Sequence, residues 1–140
     1  MQIYTIGHSA RSIEEFLELL KKFGIQALVD VRRFPTSNKW PQFKKEELAK
    51  ALEKEGIKYF WLAELGGFRR GGYSNYISTK EFKLGLKKLI EIAEKFKTAI
   101  MCAEALYFKC HRRFIASELT KEGIAVRHIL SPDRLILHRF

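Results

Sequence analysis

A chain of 140 residues, 46% hydrophobic and 30% charged, has the length and balance of one soluble globular domain, long enough to bury a core without staples. No apolar run approaches the roughly 20 residues that span a bilayer, and the start, "MQIYTIGHSA", lacks the basic and apolar regions of a signal peptide, so a cytoplasmic protein is expected. A net charge of +10 points to an anionic partner: phosphate, nucleotide or nucleic acid.

The chain then alternates. "QIYTI" (2–6) reads as a strand. "SIEEFLELLKKFG" reads as a helix capped by Ser12, with Glu15 completing a capping box and Gly24 stopping it. "QALVDV" (26–31) is almost continuously apolar, as a strand covered on both faces should be. A helix over 44–56 ends at Gly56, and a strand follows at 57–62. A long helix at 79–96 takes Thr79 as its cap. "TAIMCA" (98–103), a helix at 111–123 and "IAVRHIL" (124–130) complete the alternation, and the tail "PDRLILHRF" suggests a short edge strand. This pattern predicts a single α/β domain, 1–140: a mostly parallel sheet of about five strands between two helical layers.

In such a sheet every segment that follows a strand lies on one edge, where ligands bind. The turns at the opposite edge are short and bland. Those at the ligand edge are long and polar, and loops beyond about 12 residues are usually functional. They carry His8 and Ser9; Asp30, Arg32, Arg33, Ser37, Lys39 and Trp40; Glu64, Arg69, Arg70, Tyr73 and Tyr76; and Glu104, Tyr107, Cys110, His111 and Arg112. Residues 32–45 hold five positive charges and no negative one. Arginines grip phosphate in a forked geometry and interleaved aromatics stack on bases, so Arg32, Arg112 and Arg69 are candidate phosphate ligands, with Ser9, Ser37 and His111 beside them.

The stretch "MCAEALYFKCHRRF" (101–114) concentrates the chemistry. In an extended segment Glu104 falls on the same side as Cys102, at the strand mouth. A carboxylate in a partly dry pocket serves as acid or base. Cys110 opens a helix, where amide groups and the helix dipole stabilise a thiolate or an anion. Cys102 reads equally as a small core residue. His8 is the leading imidazole candidate and Asp30 a further carboxylate, unless paired with Arg32 or Arg33. His128 is expected to point to the core and His138 to the surface. Cys102, Cys110, His111 and His8 could supply two sulfurs and two nitrogens, but C-x7-C-H is not a zinc spacing. Neither a G-x4-G-K-[ST] nor a G-x-G-x-x-G loop occurs. No metal and no cofactor are therefore expected. Reducing surroundings predict free thiols, although the chain is rich in Lys and Glu and has only five Asn plus Gln, a composition seen in hyperthermophiles, where a Cys102–Cys110 disulfide is an option.

Together, "TIGHS", "DVRRFPTS", "ELGG", "MCAE", "CHR" and "VRHIL" resemble the domain of unknown function 488 family over about residues 3–130. His8, Ser9, Asp30, Arg32, Pro35, Ser37, Glu64, Gly66, Gly67, Cys102, Glu104, Cys110, His111 and Arg112 occupy its motif positions. The segment "ALYFK" between Glu104 and Cys110 is more apolar than the family pattern. The resemblance implies an uncharacterised α/β protein and supports the site without naming a reaction. From the residues, the leading expectation is an enzyme acting on a phosphorylated nucleotide or nucleic-acid substrate. Glu104, His8, Cys110 and Asp30 would carry the chemistry. The competing classes are a non-catalytic nucleic-acid-binding module and a thiol redox or sensor protein built on Cys102 and Cys110.

Overall fold

A computed structural model describes residues 1–139. Six strands form one sheet: β1 (Gln2–Gly7), β2 (Ala27–Asp30), β3 (Lys58–Trp61), β4 (Thr98–Cys102), β5 (Ala125–Ser131) and β6 (Arg134–Leu137), in the spatial order β3-β2-β4-β1-β5-β6. The first five run parallel, and β6 pairs antiparallel with β5 as the edge strand that the tail suggested. The helices are α1 (Ile13–Lys22), α2 (Lys45–Lys54), the single turn α3 (Tyr73–Tyr76), α4 (Lys80–Lys95) and α5 (Arg112–Lys121). No helix among the described residues is long and apolar enough to cross a membrane.

Local chemistry sets these ends. The Ser12 hydroxyl accepts from the Glu15 amide and the Glu15 side chain accepts from the Ser12 amide, a closed capping box. Thr79 accepts from the Phe82 amide to start α4. Gly24 and Gly56 follow α1 and α2 with φ of 68° and 71°, the left-handed conformation that glycine adopts at low cost.

Side-chain alternation divides the core. Tyr4, Ile6, Leu28, Ala99 and Met101 meet Phe16, Leu20, Leu48 and Leu52 of α1 and α2 on one face. Ile3, Val29, Ile100, Cys102 and Val126 meet Phe82 and Leu89 of α4 and Ile115, Ala116 and Leu119 of α5 on the other. The period of two along each strand thus produces the three layers. It also fixes which face Cys102 joins: that of α5.

The topology opens a crevice. β1 and β4 are neighbours, yet the chain leaves β1 into α1 on one face and leaves β4 toward α5 on the other. Loops that part at adjacent strands leave a gap at the strand C-termini, where α/β proteins bind ligands. The parting is tight. A Cβ on Gly7 would lie 1.9 Å from the Glu104 carbonyl oxygen, so only glycine lets the loop after β4 cross the end of β1.

One expectation is overturned. His138 is buried rather than at the surface, because β6 folds back along β5 and carries the residue after it under α5, where its Nε2 lies 2.9 Å from Ser117 Oγ.

Candidate functional site

A cleft of about 780 Å³ lies over this crevice. Its floor is Cys102, Cys110, His111 and Ser9. Its walls come from the segment after β2 (Arg32, Arg33, Phe34, Trp40) and from the segment after β3 (Gly67, Phe68, Arg69, Tyr73), with Glu104 and Lys109 at the remaining side. A hollow of about 300 Å³ beside α1 is lined by Arg11, Glu15, Glu18 and Lys22. Leu19 and Pro132 complete its lining, and it gathers none of the candidate site residues.

Cys110 is the best-prepared group in the cleft. Its Sγ accepts from the Arg112 amide at 3.3 Å and from Arg112 Nε at 3.3 Å, and it lies 3.1 Å from Cys102 Sγ. The hydrogen bond from Cys102 and the Arg112 guanidinium and amide together lower the Cys110 thiol to about 6, against the opposing effect of burial. These contacts favour the thiolate form of the sulfur. Cys102 goes the other way: burial raises it, and its S–H serves as donor to its partner. Both cysteines are free thiols.

Arg112 is 1% exposed and does not line the cleft. Its Nη1 donates to Thr5 Oγ1 at 3.0 Å, and its Nη2 donates to the Glu104 and Ala105 carbonyls at 2.6 and 3.3 Å. Its work is to position Cys110 and the loop after β4. The network continues inward. Thr5 Oγ1 lies 2.6 Å from His128 Nδ1, His128 Nε2 lies 2.9 Å from His138 Nδ1, and Tyr107 stacks on the His128 ring at 3.6 Å. Thr5 Oγ1 accepts from Arg112 and so links the guanidinium to the His128–His138 pair. Burial, with His138 and Arg112 nearby, lowers His128 to about 3, so a neutral imidazole completes the chain.

Asp30 and Arg32 form a second buried unit. Arg32 donates from Nε and Nη2 to both Asp30 oxygens, at 2.7 to 3.1 Å, and from Nη1 to the Phe43 carbonyl at 2.7 Å. The Tyr59 hydroxyl donates to Asp30 Oδ2 at 2.6 Å. Arg32 touches the cleft but its charge is answered by Asp30. His8 is fully buried, stacked on Phe43 at 4.4 Å, and desolvation lowers it to about 4. It lies beneath the cleft rather than in its wall.

The remaining candidates are distributed as follows. Glu104 lies on the exposed rim rather than in a dry pocket, and its carbonyl, not its carboxylate, meets Arg112. His111 Nε2–H donates to the Val31 carbonyl at 2.7 Å, and burial lowers the ring to about 4. Its Nδ1 faces Gly67, where a Cβ would come within 3.0 Å. Ser9 lines the floor with φ of 40°, and its amide donates to the Ala103 carbonyl at 2.8 Å. Ser37 accepts from the Trp40 amide and so fixes the turn carrying that indole. Arg69 donates to the Gly66 and Ala63 carbonyls and lies over the Tyr76 ring at 4.1 Å, bracing its loop. Glu64 pairs with Lys88 on α4. The cleft therefore gathers Glu104, Cys110, His111, Arg32, Arg69 and Ser9, while His8, Asp30 and Arg112 lie below it.

Three groups stand out among the interleaved arginines and aromatics of the ligand edge. Phe34 is 62% and Phe68 85% exposed, both in the cleft wall. Phe68 has φ of 56°, a costly backbone for a bulky residue. Arg33 holds it there by donating to the Phe68 carbonyl at 2.5 Å, and its guanidinium lies 5.5 Å from the Phe34 ring. The signal for these was present only as interleaved arginine and phenylalanine in two glycine- or proline-containing loops.

Among known proteins, no curated protein and no solved structure matches the chain significantly. A family described as Domain of unknown function DUF488 matches residues 12–119, from the cap of α1 to α5 and including Asp30, Arg32, Cys102, Cys110 and Arg112. The chain belongs to the DUF488 family.

Proposed function

We propose that the protein is a thiolate enzyme acting on a phosphate-bearing nucleotide or nucleic-acid strand bound in the cleft, with Cys110 as the nucleophile. The observation that carries this reading is the placement of a low-pKa sulfur on the floor of a cleft whose walls are cationic and aromatic. Three donors converge on Cys110, two of them from fully buried Arg112 and one from Cys102, and such preorganised donors favour the anionic nucleophile at no reorganisation cost. Arg33 and Lys109 line the cleft and supply charge for a phosphate, whereas Arg32 is neutralised by Asp30 and Arg112 is turned inward. Phe34, Phe68 and Trp40 supply flat surfaces for a base. His8 and His111, both neutral at pH 7, serve to shape the floor rather than to shuttle protons. Glu104, open to solvent at the rim, is placed to exchange a proton with a bound substrate or water. Free thiols of this kind suit a reducing, cytoplasmic compartment.

The test is to measure thermal stabilisation by nucleotides, short single strands and inorganic phosphate, and to search for a covalent adduct on Cys110 by mass spectrometry. Stabilisation that falls in Arg33→Ala and Lys109→Ala, with turnover abolished and binding retained in Cys110→Ser, supports the enzyme. Binding confined to long strands, steeply salt-dependent and blind to Cys110→Ser, would instead make this a nucleic-acid-binding module.

A further inference from the structure

Cys102 and Cys110 differ in every respect that matters to a thiol pair, yet their sulfurs lie 3.1 Å apart. That is about 1 Å longer than a disulfide bond. Cys110 lines the cleft beside cations and is half-buried; Cys102 is 3% exposed and sits at the end of β4 with its S–H directed at Cys110 Sγ or, at 3.8 Å, the Glu104 carbonyl. The seven-residue segment between them has no regular structure beyond one 3-10 turn, Tyr107–Lys109, so it can yield by the small amount that bond formation needs.

We propose that the two cysteines form a two-electron redox site, in which Cys110 reduces a hydroperoxide and Cys102 resolves the product as an intramolecular disulfide. The proposal rests on the reading of Cys110 as a thiolate nucleophile and extends it from substrate to oxidant. In the first step Cys110 Sγ attacks the distal oxygen of the peroxide. The O–O bond breaks, the alkoxide or hydroxide leaves and takes a proton from water, and Cys110 becomes a sulfenic acid. In the second step Cys102 gives up its proton and its sulfur attacks Cys110 Sγ. The S–O bond breaks and hydroxide leaves with that proton as water. The dithiol loses two electrons and the peroxide gains them, and an external dithiol restores the pair. The raised pKa of Cys102 slows its reaction with oxidants in solution, while its fixed place beside Cys110 makes the second step intramolecular.

Such chemistry protects the nucleophile. A sulfenic acid with no partner proceeds to sulfinic and sulfonic acids, which thiols do not reverse. Closure of the disulfide removes Cys110 from that ladder and takes its sulfur out of the cleft chemistry until it is reduced.

The experiment treats the reduced protein at pH 7 with a small excess of hydrogen peroxide, quenches with N-ethylmaleimide, and follows intact and peptide masses. The expected result is loss of two hydrogens, a linked Cys102–Cys110 peptide, no maleimide label, and full recovery of both thiols with dithiothreitol. Cys102→Ala should instead collect two and three oxygens on Cys110, at least about tenfold faster than the wild type, since an adjacent thiol acts at high effective concentration. Circular dichroism of Cys102→Ala checks that it is folded, and the wild-type masses test the proposal without any variant. Accumulation of sulfinic acid in the wild type without a disulfide, or linkage only between chains, would overturn it. Iodoacetamide labelling of the reduced protein separates the two readings. Fast labelling of Cys110 with no disulfide removes this proposal alone, and slow labelling removes the nucleophile on which both depend.

Discussion

Asp30 holds Arg32 through both carboxylate oxygens in a pocket where the side chains are 0% and 5% exposed. Two buried charges cost several kcal/mol each to desolvate, and only their mutual hydrogen bonds repay it. The pair therefore reports on stability when one member is removed. Asp30→Asn leaves a buried guanidinium without its counter-charge and should cost about 3–5 kcal/mol in urea unfolding. Tyr59→Phe, which removes one hydrogen bond to the same carboxylate, should cost only about 0.5–1.5 kcal/mol. Equal small losses in both variants would show that Arg32 finds a new partner in the cleft.

The Cys110 thiol should label with iodoacetamide along a titration centred near 6. Arg112→Ala removes the guanidinium, and Cys102→Ala removes the S–H donor. Both donors favour the charged form, so losing either must raise the midpoint; one full pH unit corresponds to about 1.4 kcal/mol of lost stabilisation. A midpoint that does not move in Arg112→Ala would assign the thiolate to the Cys102 S–H and the helix amide.

Phe68 is the stacking surface to remove. Phe68→Asn keeps a residue that tolerates φ of 56° and deletes a ring that is 85% exposed, so stability should change by less than about 0.5 kcal/mol. Base stacking contributes about 1–3 kcal/mol, so nucleotide affinity should fall roughly tenfold or more while inorganic phosphate binding stays the same. Isothermal titration with both ligands measures the difference. A parallel loss for both would mean that Phe68 matters through its loop and not its ring.

What could be read from the chain beforehand followed a physical division. Capping at Ser12 and Thr79, stops at Gly24 and Gly56 and the alternation of strands are local, and each appears where the residues placed it. The strand order depends on pairings between Gly7 and Cys102 or Asp30 and Met101, which no local pattern encodes. The edge that gathers the site was legible because every strand but the last is parallel. The direction of each side chain on that edge was not. Arg112 reads as a phosphate ligand at a helix start, yet Thr5, 107 positions away, and the Glu104 carbonyl draw it inward. His138 reads as a tail residue, yet the β5–β6 hairpin brings it to His128. Phe68 reads only as one of the interleaved aromatics, because what presents it is a strained backbone held by Arg33 from another loop.

The buried histidines set the acid limit of the fold. Burial lowers His8 and His111 to about 4 and His128 to about 3, from an ordinary value near 6.5. Above pH 6.5 these rings are neutral in both the folded and unfolded chain, and the stability they allow is fully present. Between 6.5 and about 4 the unfolded chain takes up protons that the folded chain refuses, so falling pH favours unfolding. Each of His8 and His111 should withdraw on the order of 3 kcal/mol across that window, and His128 somewhat more. Their sum is comparable with the roughly 5–15 kcal/mol that holds a domain together, so the protein should unfold before the rings protonate in place. Cys110 acts over a different range: its lowered thiol loses its contribution as pH falls from about 9 through 6, and Cys102, raised by burial, opposes it. Urea unfolding at pH 9, 8, 7, 6, 5 and 4.5 separates the two, with the steepest loss expected below 6. His8→Gln should flatten that slope by the share of one ring. Stability that holds level from 6.5 to 4.5 would show that the folded protein admits water or charge to these rings, and the neutral-imidazole account of the Arg112–Thr5–His128 chain would fall with it.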